Sequence, residues 1–304
     1  MNENERPDLS IVIAWQLAQR DVLDCLESIY NQQSHSAIEV ILVYGGFEPD
    51  LSSLSGKYPH LIIMKHPNSG SLPSLHGLGI EQATGKFIAI TEGHTTFAAN
   101  WIDIAVSASS SNPAAAIGGV VEPGRDLSSA DFALYLCDYA QFALPMVSGV
   151  SDDLPGNNVV FKREVIEAFS SGKDLGRDGF WKTFFCYELE KQGKKLCRDA
   201  KMVAFYNRHL SFRDVMLRRY HHGRCFGSMR SSEFSAGKKA LYVASCAILP
   251  IVLCNRLVAK VVSKPSLIRR FARVYPICYL IFCAWVQGEY YGTALGAAGS
   301  CDQL

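Results

Sequence analysis

The sequence lacks several patterns that would assign it to a common class. Its ten cysteines are scattered singly, without a Cys-x-x-Cys pair, so their spacing does not indicate a zinc site. The net charge of +1 gives no indication of nucleic-acid binding. No Gly-x-Gly-x-x-Gly follows a predicted strand, which disfavours a dinucleotide-dependent dehydrogenase. These absences leave the order of strands and helices as the main guide to function.

The N-terminal residues MNENERPDLSIVIAW also lack the basic start and the long apolar core of a secretory signal. We therefore expect the catalytic part of the chain to remain in the cytoplasm. In that compartment, free buried thiols are expected rather than disulfides.

Short apolar strands alternate with helical patterns over the first ninety residues. This alternation is typical of βαβ units around a parallel sheet. The predicted strands are Leu9–Ala14, Ile38–Val43, Leu61–His66 and Lys86–Thr91, and the predicted helices are Asp21–Gln33, Asp50–Tyr58 and Ser71–Thr84. Asp21 is placed to cap the first of these helices.

The middle of the chain continues with a mixture of both elements. We predict a strand at Ala114–Val121 and a helix at Ser128–Phe142. The run NNVVFKREVIEAF reads as a strand that leads into a helix, and Gly179–Gly193 is typical of an amphipathic helix closed by a glycine.

The tail has a different character. Two apolar runs, LYVASCAILPIVLC and VYPICYLIFCAWV, are each shorter than the roughly 20 residues of a simple membrane span. Six basic residues lie between them: Arg256, Lys260, Lys264, Arg269, Arg270 and Arg273. This pattern favours an interfacial or re-entrant hairpin on an anionic leaflet, and the alternative is a buried helical hairpin of a soluble fold. We accordingly predict a catalytic domain at residues 1–235 and a membrane-associated helical region at residues 236–304.

A series of motifs, in order, resembles the family-2 glycosyltransferases. The motifs are LSIVIAW, QRDVLDCLESIYNQQ, EVILVYGG, HPNSGSLPSLHGLGIEQATGKFIAITEGHTTF and GNNVVFKREV. The later runs RYHHGRCFGSMR and AWVQGEYYG look like a membrane-associated, bacterial-type branch of that family. The resemblance implies an α/β fold of the GT-A type: a Rossmann-like, mostly parallel sheet flanked by helices, here followed by the C-terminal apolar helical hairpin.

Ligands of such sheets bind beyond the carboxyl ends of the strands. The resemblance therefore implies a nucleotide-sugar donor site built from Ala14, Trp15, Tyr44, Gly45, Asn68, Gly70 and His76. The family usually carries an acidic residue after the second strand to recognise the base, and Tyr44-Gly45-Gly46 replaces it here, which leaves the base open. Ordinary packing at a sheet edge is the alternative for Trp15 and Tyr44.

The segment Thr91-Glu92-Gly93-His94 stands where family members carry an Asp-x-Asp motif that holds a divalent cation. Alternate residues of an extended segment face the same side, so Glu92 and His94 can share one ion. A carboxylate with an imidazole suits Mn²⁺ or Mg²⁺. His209 is a further candidate ligand, and the alternative for the pair is a solvated strand end.

The position that usually carries the family's catalytic base is occupied by a different residue type here. The resemblance places Lys182 where related sequences carry an acidic residue, and a lysine is a poor base unless burial depresses its pKa. Two carboxylates remain as candidates, Asp178 and Glu188. Asp178 is equally suited to cap a helix, and Glu188 to lie on the surface.

Two further groups are candidates for the acceptor side or for phosphate. Asn157 and Asn158 precede a strand, where their amides can hold sugar hydroxyls, although Gly-Asn-Asn is also common in turns. Arg219, His222 and Arg224 lie in the densest cationic stretch, which suits a pyrophosphate or lipid phosphate. The alternative for these three is a solvated or membrane-facing basic helix.

The resemblance implies an inverting, metal-assisted hexosyltransferase. It would move sugar from a nucleoside-diphosphate donor to a glycan or lipid-linked acceptor in polysaccharide biosynthesis, at the cytoplasmic face of a membrane, with no nucleic-acid partner. The alternative is a catalytically lapsed member that binds nucleotide-sugar or serves as a scaffold. A nucleotidyltransferase is disfavoured because Trp15-Gln16-Leu17-Ala18 is not a glycine-rich basic loop.

Overall fold

The computed structural model of this 304-residue chain describes residues 6–16, 19–54, 56–58, 60–68 and 70–304. It divides into two compact units. The first contains the residues up to Glu122 together with Leu144–Asn207, and the second contains Pro123–Ala143 and Arg208–Leu304. The observed division therefore differs from a boundary at residue 235, because residues 123–143 and 208–235 group with the tail.

The first unit is built on a mixed sheet of nine strands in its described residues. Four strands are parallel: β1 (Leu9–Trp15), β2 (Ile38–Tyr44), β3 (Leu61–Lys65) and β4 (Phe87–Glu92). They lie in the order β3-β2-β1-β4. The strands of this half agree with the predicted ones to within one residue at each end.

The other half of the sheet is antiparallel. It contains β5 (Thr95–Phe97), β6 (Ala116–Pro123), β7 (Gly149–Val150), β8 (Val159–Lys162) and β9 (Leu196–Tyr206). β8 is antiparallel to both β4 and β6, and β9 is antiparallel to β5 and β7. The expectation of a mostly parallel sheet thus holds for four strands. An apolar run does not itself determine the direction of a strand, so the change to antiparallel strands could not be predicted from the pattern.

Six helices of the first unit flank the sheet. They are α1 (Gln19–Tyr30), α2 (Leu72–Gln82), α3 (Trp101–Ser111), α5 (Arg163–Ser170), α6 (Leu175–Asp178) and α7 (Lys182–Lys191). Because side chains of a strand alternate between faces, Ile11 and Ile13 pack on the side of α1 and α3, while Val12 and Ala14 pack on the side of α2 and α7. Both faces of the central strands are therefore buried, as their continuous apolar sequences predict.

Two local predictions in this unit are wrong. Residues 50–54 and 56–58 form turns rather than a helix, because Gly56 takes a left-handed φ of +74° and the Asp50 carboxylate accepts a hydrogen bond from the Ser52 amide. Asp21 does not cap α1, since the helix begins at Gln19 and Asp21 lies in its first turn. There its charge still complements the helix dipole.

The second unit is helical in its described residues. It contains α4 (Ser129–Tyr139), α8 (Phe212–Arg230), α9 (Ala236–Ser245), α10 (Leu249–Val262) and α11 (Pro265–Leu295), with short 3₁₀ turns at Ala140–Phe142 and Ser300–Gln303. The predicted apolar hairpin is therefore three helices. α9 and α10 meet at a bend of 65°, and α11 is a single helix of 31 residues.

Glycines bring α8 and α11 unusually close. A Cβ atom on Gly223 would lie 2.1 Å from the carbonyl oxygen of Trp285, and one on Gly288 would lie 2.0 Å from that of Tyr220. Gly227 and Gly292 repeat these contacts one turn further along each helix. Each helix thus presents two glycines four residues apart, a spacing that allows direct contact between backbones.

One disulfide corrects the expectation of free thiols. Cys225 of α8 is bonded to Cys301, 76 residues further along the chain, while the other eight cysteines are free. In the same region the His221 ring lies 3.1 Å from the Ser300 hydroxyl. The bond attaches the end of the chain to α8, a pairing that single cysteines at this separation do not signal.

Candidate functional site

The carboxyl ends of β1, β2 and β4 bring several predicted donor-site residues together. The strand register places Ala14 beside Glu92 and Trp15 beside Tyr44. The Gly93 amide then donates a hydrogen bond of 2.9 Å to the Ala14 carbonyl. Residues from three separate motifs therefore form one edge, as parallel strands require.

Three aromatic rings stand at this edge. The Trp15 ring lies edge-on to Tyr44 and Phe47, with centroids 5.9 and 5.4 Å away. Trp15 and Tyr44 are buried, whereas Phe47 is partly exposed. Sequence reasoning missed Phe47, although its position directly after Tyr44-Gly45-Gly46 is a usable signal for a ring at the strand end.

The Trp15 indole adjoins the predicted metal-binding segment. A Cβ atom on Gly93 would lie 3.5 Å from Trp15 Cδ1, so the indole packs against the glycine between Glu92 and His94. The buried Trp15 Nε1–H has no hydrogen-bond partner among the described residues. A buried donor without a partner is costly in a folded protein, and a bound acceptor group relieves that cost.

The loops after β2 and β3 touch through their backbones. A Cβ atom on Gly70 would lie 2.6 Å from the Gly45 carbonyl oxygen, so no larger residue fits there without movement. Gln16 Nε2 donates to the Gly70 carbonyl at 2.5 Å. The exposed Asn68 lies in the same loop, where its backbone N–H donates to His66 Nδ1. Gly45, Asn68 and Gly70 are thus held near the strand ends by local contacts.

His76 occupies a different position from the loop residues. It is buried in α2, and its Nε2 lies 2.8 Å from the Thr91 carbonyl oxygen. Burial lowers the pKa of His76 to about 4, so the ring is neutral at physiological pH. As a neutral donor it fixes the backbone just before Glu92.

Glu92 and His94 face each other at the end of β4. Glu92 Oε2 lies 3.6 Å from His94 Nδ1, and both side chains are about nine-tenths buried. The His94 ring also lies edge-on to Tyr206, 4.9 Å between centroids. The two side chains meet as predicted, but through the turn at Gly93-His94 between β4 and β5 rather than through the alternation of an extended strand.

The two asparagines of the acceptor-side motif have different surroundings. Asn157 accepts a hydrogen bond from Thr91 through its carbonyl, and its side-chain Nδ2 donates to Thr95, so it braces both sides of the Glu92–His94 segment. Its buried Oδ1 has no hydrogen-bond partner among the described residues. This oxygen is an acceptor available next to the strand end.

Asn158 is an internal cross-link. Its Nδ2 donates to the carbonyls of Val120 and Met202, and its Oδ1 accepts from the Trp101 indole. The residue is fully buried, and its amide groups are occupied. This structure therefore gives Asn158 a role in joining strands of the antiparallel half, away from any exposed sugar hydroxyl.

The two candidate bases lie on the surface. Asp178 is the last residue of α6, not the N-cap of the following helix, and Arg177 binds its carboxylate at 2.8 Å. This hydrogen bond and charge hold the pKa of Asp178 below its usual value. Glu188 lies on α7, 3.7 Å from Lys191.

Lys182, which stands in the expected acidic position, has a carboxylate beside it. Its Nζ lies 3.1 Å from Asp153 Oδ1, and the lysine side chain is mostly buried. Asp153 lies four residues before Asn157, in the loop that leads to β8. Sequence reasoning missed Asp153, and its place just upstream of Gly156-Asn157-Asn158 is the signal that could have found it.

The predicted cationic residues all lie on α8 of the second unit. Arg219 is buried, forms an ion pair with Asp138 at 2.8 Å, and stacks on the Trp285 ring at 4.8 Å. Arg224 Nε donates to the Gly296 carbonyl. These two guanidinium groups therefore serve contacts within the second unit.

The two histidines considered with this stretch are also engaged within the second unit. The His222 ring lies edge-on to the Trp285 indole, 4.7 Å between centroids. His209 lies 4.0 Å from Asp131, so its nearest carboxylate belongs to the same unit.

The donor set at Glu92 and His94 fits a divalent cation only in part. One carboxylate and one imidazole suit Mn²⁺ or Mg²⁺. Within the described residues, no group of three or more His, Cys, Asp or Glu side chains is arranged to hold a metal. Such a pair suits an ion that takes its remaining ligands from water and substrate phosphates, as Mg²⁺ commonly does.

Comparison with known families decides the class. The model of glycosyl transferase family 2 matches residues 10–168, more than half of the chain. The chain belongs to glycosyl transferase family 2. No curated protein matches its sequence.

Solved structures place this family-2 chain among enzymes of the GT-A fold. A mannosyltransferase from Pyrobaculum calidifontis, PcManGT, in complex with GDP-Man and Mn²⁺, aligns with a TM-score of 0.60 at 15% identity, over 95% of this chain and 88% of that one. S. aureus TarS 1–349, in complex with UDP-GlcNAc, aligns with a TM-score of 0.51 at 11% identity, over 93% and 91% of the two chains. GalNAc-T7 with UDP, GalNAc and Mn²⁺ aligns with a TM-score of 0.50 at 14% identity, over 68% of this chain and 45% of that one.

At these identities the likeness establishes the fold. The expectation of an α/β fold of the GT-A type is confirmed. Membership of family 2 and this fold together support a sugar-transfer function.

Proposed function

We propose that this chain transfers a hexose from a nucleoside-diphosphate sugar to a glycan or lipid-linked acceptor, with inversion at the anomeric carbon. The observation that carries the proposal is the convergence of Trp15, Glu92 and Asn157 at the carboxyl edge of the parallel strands. This edge offers a buried N–H donor, a carboxylate and a buried amide oxygen within one region. The complexes of PcManGT and TarS with nucleotide sugars support the same class of donor.

The donor diphosphate is assigned to the Glu92–His94 segment. Glu92 and His94 would hold a Mn²⁺ or Mg²⁺ ion, which supplies neutralisation of the charge that develops on the departing nucleotide. The Trp15 N–H is placed to donate a hydrogen bond to a phosphate oxygen beside Gly93. Thr91 and Asn157 keep the segment in position through the hydrogen bond between them.

The nucleoside is assigned to the loops that follow β1, β2 and β3. Phe47 is the partly exposed ring of the aromatic group and is the candidate for stacking on the base, with Trp15 and Tyr44 behind it. Asn68, Gly45 and Gly70 provide amide and backbone groups for the base and ribose. His76 acts indirectly, because it holds the Thr91 backbone.

The acceptor hydroxyl needs a carboxylate that removes its proton. We assign this role to Asp153, because the loop that carries it continues into Asn157 and because it lies beside Lys182, the expected position of the family's acid. Asp178 and Glu188 are weaker candidates, since neither lies in the loop that continues into Asn157 and each pairs with a cation of its own helix. The Asp153 carboxylate would accept the proton as the hydroxyl oxygen attacks and the nucleoside diphosphate leaves.

A second candidate function is a lapsed member that binds nucleotide-sugar without turnover. The observation that favours it is the lysine at position 182, which replaces a carboxylate with a cation. In that case Asp153 would serve only to neutralise Lys182. Binding without product release distinguishes this candidate from the enzyme.

A lipid-linked acceptor would place the reaction at the cytoplasmic face of a membrane, as a step in polysaccharide assembly. The cationic residues Arg219, His222 and Arg224 are proposed to act in the second unit as structural groups first, given their internal partners. Any contact that they make with a lipid phosphate would be additional to those partners.

The direct test is a panel of GDP- and UDP-sugars incubated with the full chain and Mn²⁺, in which release of nucleoside diphosphate is measured with and without a lipid extract. Release that requires a particular donor and the extract supports the enzyme, and NMR of the product then reports the anomeric configuration. Binding of a donor without release of nucleoside diphosphate supports the lapsed member. If no donor binds and no nucleoside diphosphate is released, both candidate functions are contradicted.

A further inference from the structure

The outer surface of α9, α10 and α11 has an unusual charge balance. Residues 236–295 contain eight Lys or Arg residues and a single acidic residue, Glu289. Glu289 is buried, and it contacts Tyr242, Trp285 and Arg230. These three helices therefore present no exposed carboxylate, while Arg256, Arg269 and Arg273 are exposed.

α11 carries an apolar stripe on its exposed side. Exposed residues recur at intervals of three or four along the helix, which defines one face. The large side chains of this stripe are Ile268, Tyr275, Tyr279, Leu280, Tyr290, Tyr291 and Leu295. Arg269 and Arg273 are exposed beside its first two turns. The face therefore combines apolar and aromatic side chains with cations at one end.

Exposed apolar side chains also occur on α9 and α10 and in the bend between them. Leu241, Ile248, Ile251 and Val262 are each more than half exposed. α10 packs against α11, so its exposed apolar side chains belong to the same part of the second unit as the stripe. Arg256 of α10 is exposed as well. Exposed apolar patches of this extent are rare on proteins surrounded only by water.

α11 has the length and composition to cross a membrane, and the bent pair α9–α10 would be a second candidate among the described residues. The opposite face of α11 argues against crossing. It is in backbone contact with α8 through Gly223, Gly227, Gly288 and Gly292, and α8 carries five arginines. A crossing α11 would take these arginines and Glu289 into the hydrocarbon region, which is costly for each charge.

We propose that the outer faces of α9, α10 and α11 bind flat on an anionic lipid surface, with the apolar stripe in the interface and the flanking cations on lipid phosphates. The charge complementarity and the apolar stripe together identify a lipid surface as the occupant. Flat binding to an anionic lipid surface agrees with the proposed lipid-linked acceptor. Its test does not depend on sugar transfer, because lipid binding is measured without donor or acceptor.

The test uses the full chain and vesicles of phosphatidylcholine, with or without about a third phosphatidylglycerol, followed by flotation at low and high salt. We expect binding to the anionic vesicles, at least tenfold weaker binding to neutral ones, and release by high salt or alkaline carbonate. Binding that resists carbonate extraction would contradict flat binding and indicate a spanning helix. Equal binding to neutral and anionic vesicles would contradict the role of the cations.

Two variants locate the surface. Ile251→Glu with Leu280→Glu removes apolar contact, and Arg269→Glu with Arg273→Glu reverses charge. Each pair should weaken binding to anionic vesicles by at least tenfold. Val147→Glu, at an exposed residue of the first unit, is the matched control and should bind as the unaltered chain does. Unchanged binding in both pairs would overturn the proposal. So would a dimer of the unaltered chain that the apolar pair converts to a monomer, because a second copy would then cover the face.

Discussion

Lys182 Nζ lies 3.1 Å from Asp153 Oδ1, so a cation and a carboxylate meet at the point where the family resemblance predicts a carboxylate alone. The two residues belong to different segments, the first turn of α7 and the loop before β8. A carboxylate is therefore present in space although it is absent from the expected position in the sequence. The proposed function assigns the catalytic base to this carboxylate.

Substitution of that carboxylate gives the first prediction. Asp153→Asn should lower turnover of the best donor by at least about a hundredfold, as loss of a general base commonly does, with donor affinity unchanged. Asp178→Asn and Glu188→Gln should each retain most of the turnover. Asp152→Asn, at the exposed neighbour of Asp153, is the matched control. If Asp178→Asn abolishes turnover while Asp153→Asn does not, the assignment is wrong.

The Trp15 indole gives the second prediction. Trp15→Phe keeps a ring against Gly93 but removes the N–H that lacks a partner among the described residues. If the N–H binds the donor, affinity for the nucleoside diphosphate should fall about tenfold or more, which is the scale of a hydrogen bond to a charged group. The free energy of unfolding should change little. Affinity that stays the same with a raised free energy of unfolding would mean that the N–H has no ligand.

The glycine contact between α8 and α11 gives the third prediction. Gly288→Ala places a methyl group 2.0 Å from the Tyr220 carbonyl, so the helices must separate. We expect the free energy of unfolding to fall by at least about 2 kcal/mol, as overpacking commonly costs. Gly237→Ala in α9 meets nothing within 4 Å and should be neutral or slightly stabilising. Urea denaturation compares the two, and equal stability would disprove close packing of α8 and α11.

His76 gives the fourth prediction, for pH dependence. Burial in α2 lowers its pKa to about 4 in the folded chain. Below the usual histidine pKa of about 6.5 the unfolded chain gains a proton that the folded chain does not. The free energy of unfolding should therefore fall as pH decreases from about 6.5 towards 4, by about 1 kcal/mol over the first pH unit. Above pH 7 this group should have no effect.

The comparison of variants isolates that effect. His76→Gln should remove this part of the fall between pH 6.5 and 5.5, measured by urea denaturation at both values. His35→Gln, at an exposed loop residue, is the control and should keep the slope of the unaltered chain. An identical slope in His76→Gln would show that the ring is not buried in neutral form.

The parallel half of the sheet could be predicted from the sequence because each strand is a short apolar run between helical patterns. The edge at Trp15, Tyr44 and Glu92 follows from that prediction, since carboxyl ends of parallel strands meet. The closeness of His94 to Glu92 could also be predicted, although a turn at Gly93-His94 produces it rather than the alternation of side chains. These features depend on local pattern and on one rule of topology.

The remaining features depend on which distant segments meet. Asn158 looks like a turn residue in sequence, and only the approach of Val120 and Met202 makes it a cross-link. The carboxylate of Asp153 meets Lys182 only because the loop before β8 lies against α7. The glycine pairs of α8 and α11 are 65 residues apart (223 to 288 and 227 to 292), so neither pair indicates its partner.

Calorimetric titration with GDP and UDP, with and without Mn²⁺, shows whether a donor site lies at the carboxyl end of β4. We expect that one nucleotide binds, that Mn²⁺ strengthens binding, and that Glu92→Ala together with His94→Ala abolishes the effect of the metal. Thr96→Ala, beside the segment on β5, is the control variant and should bind as the unaltered chain does. Absence of binding by either nucleotide with Mn²⁺, or binding that the double variant leaves unchanged, would contradict a donor site at the carboxyl end of β4.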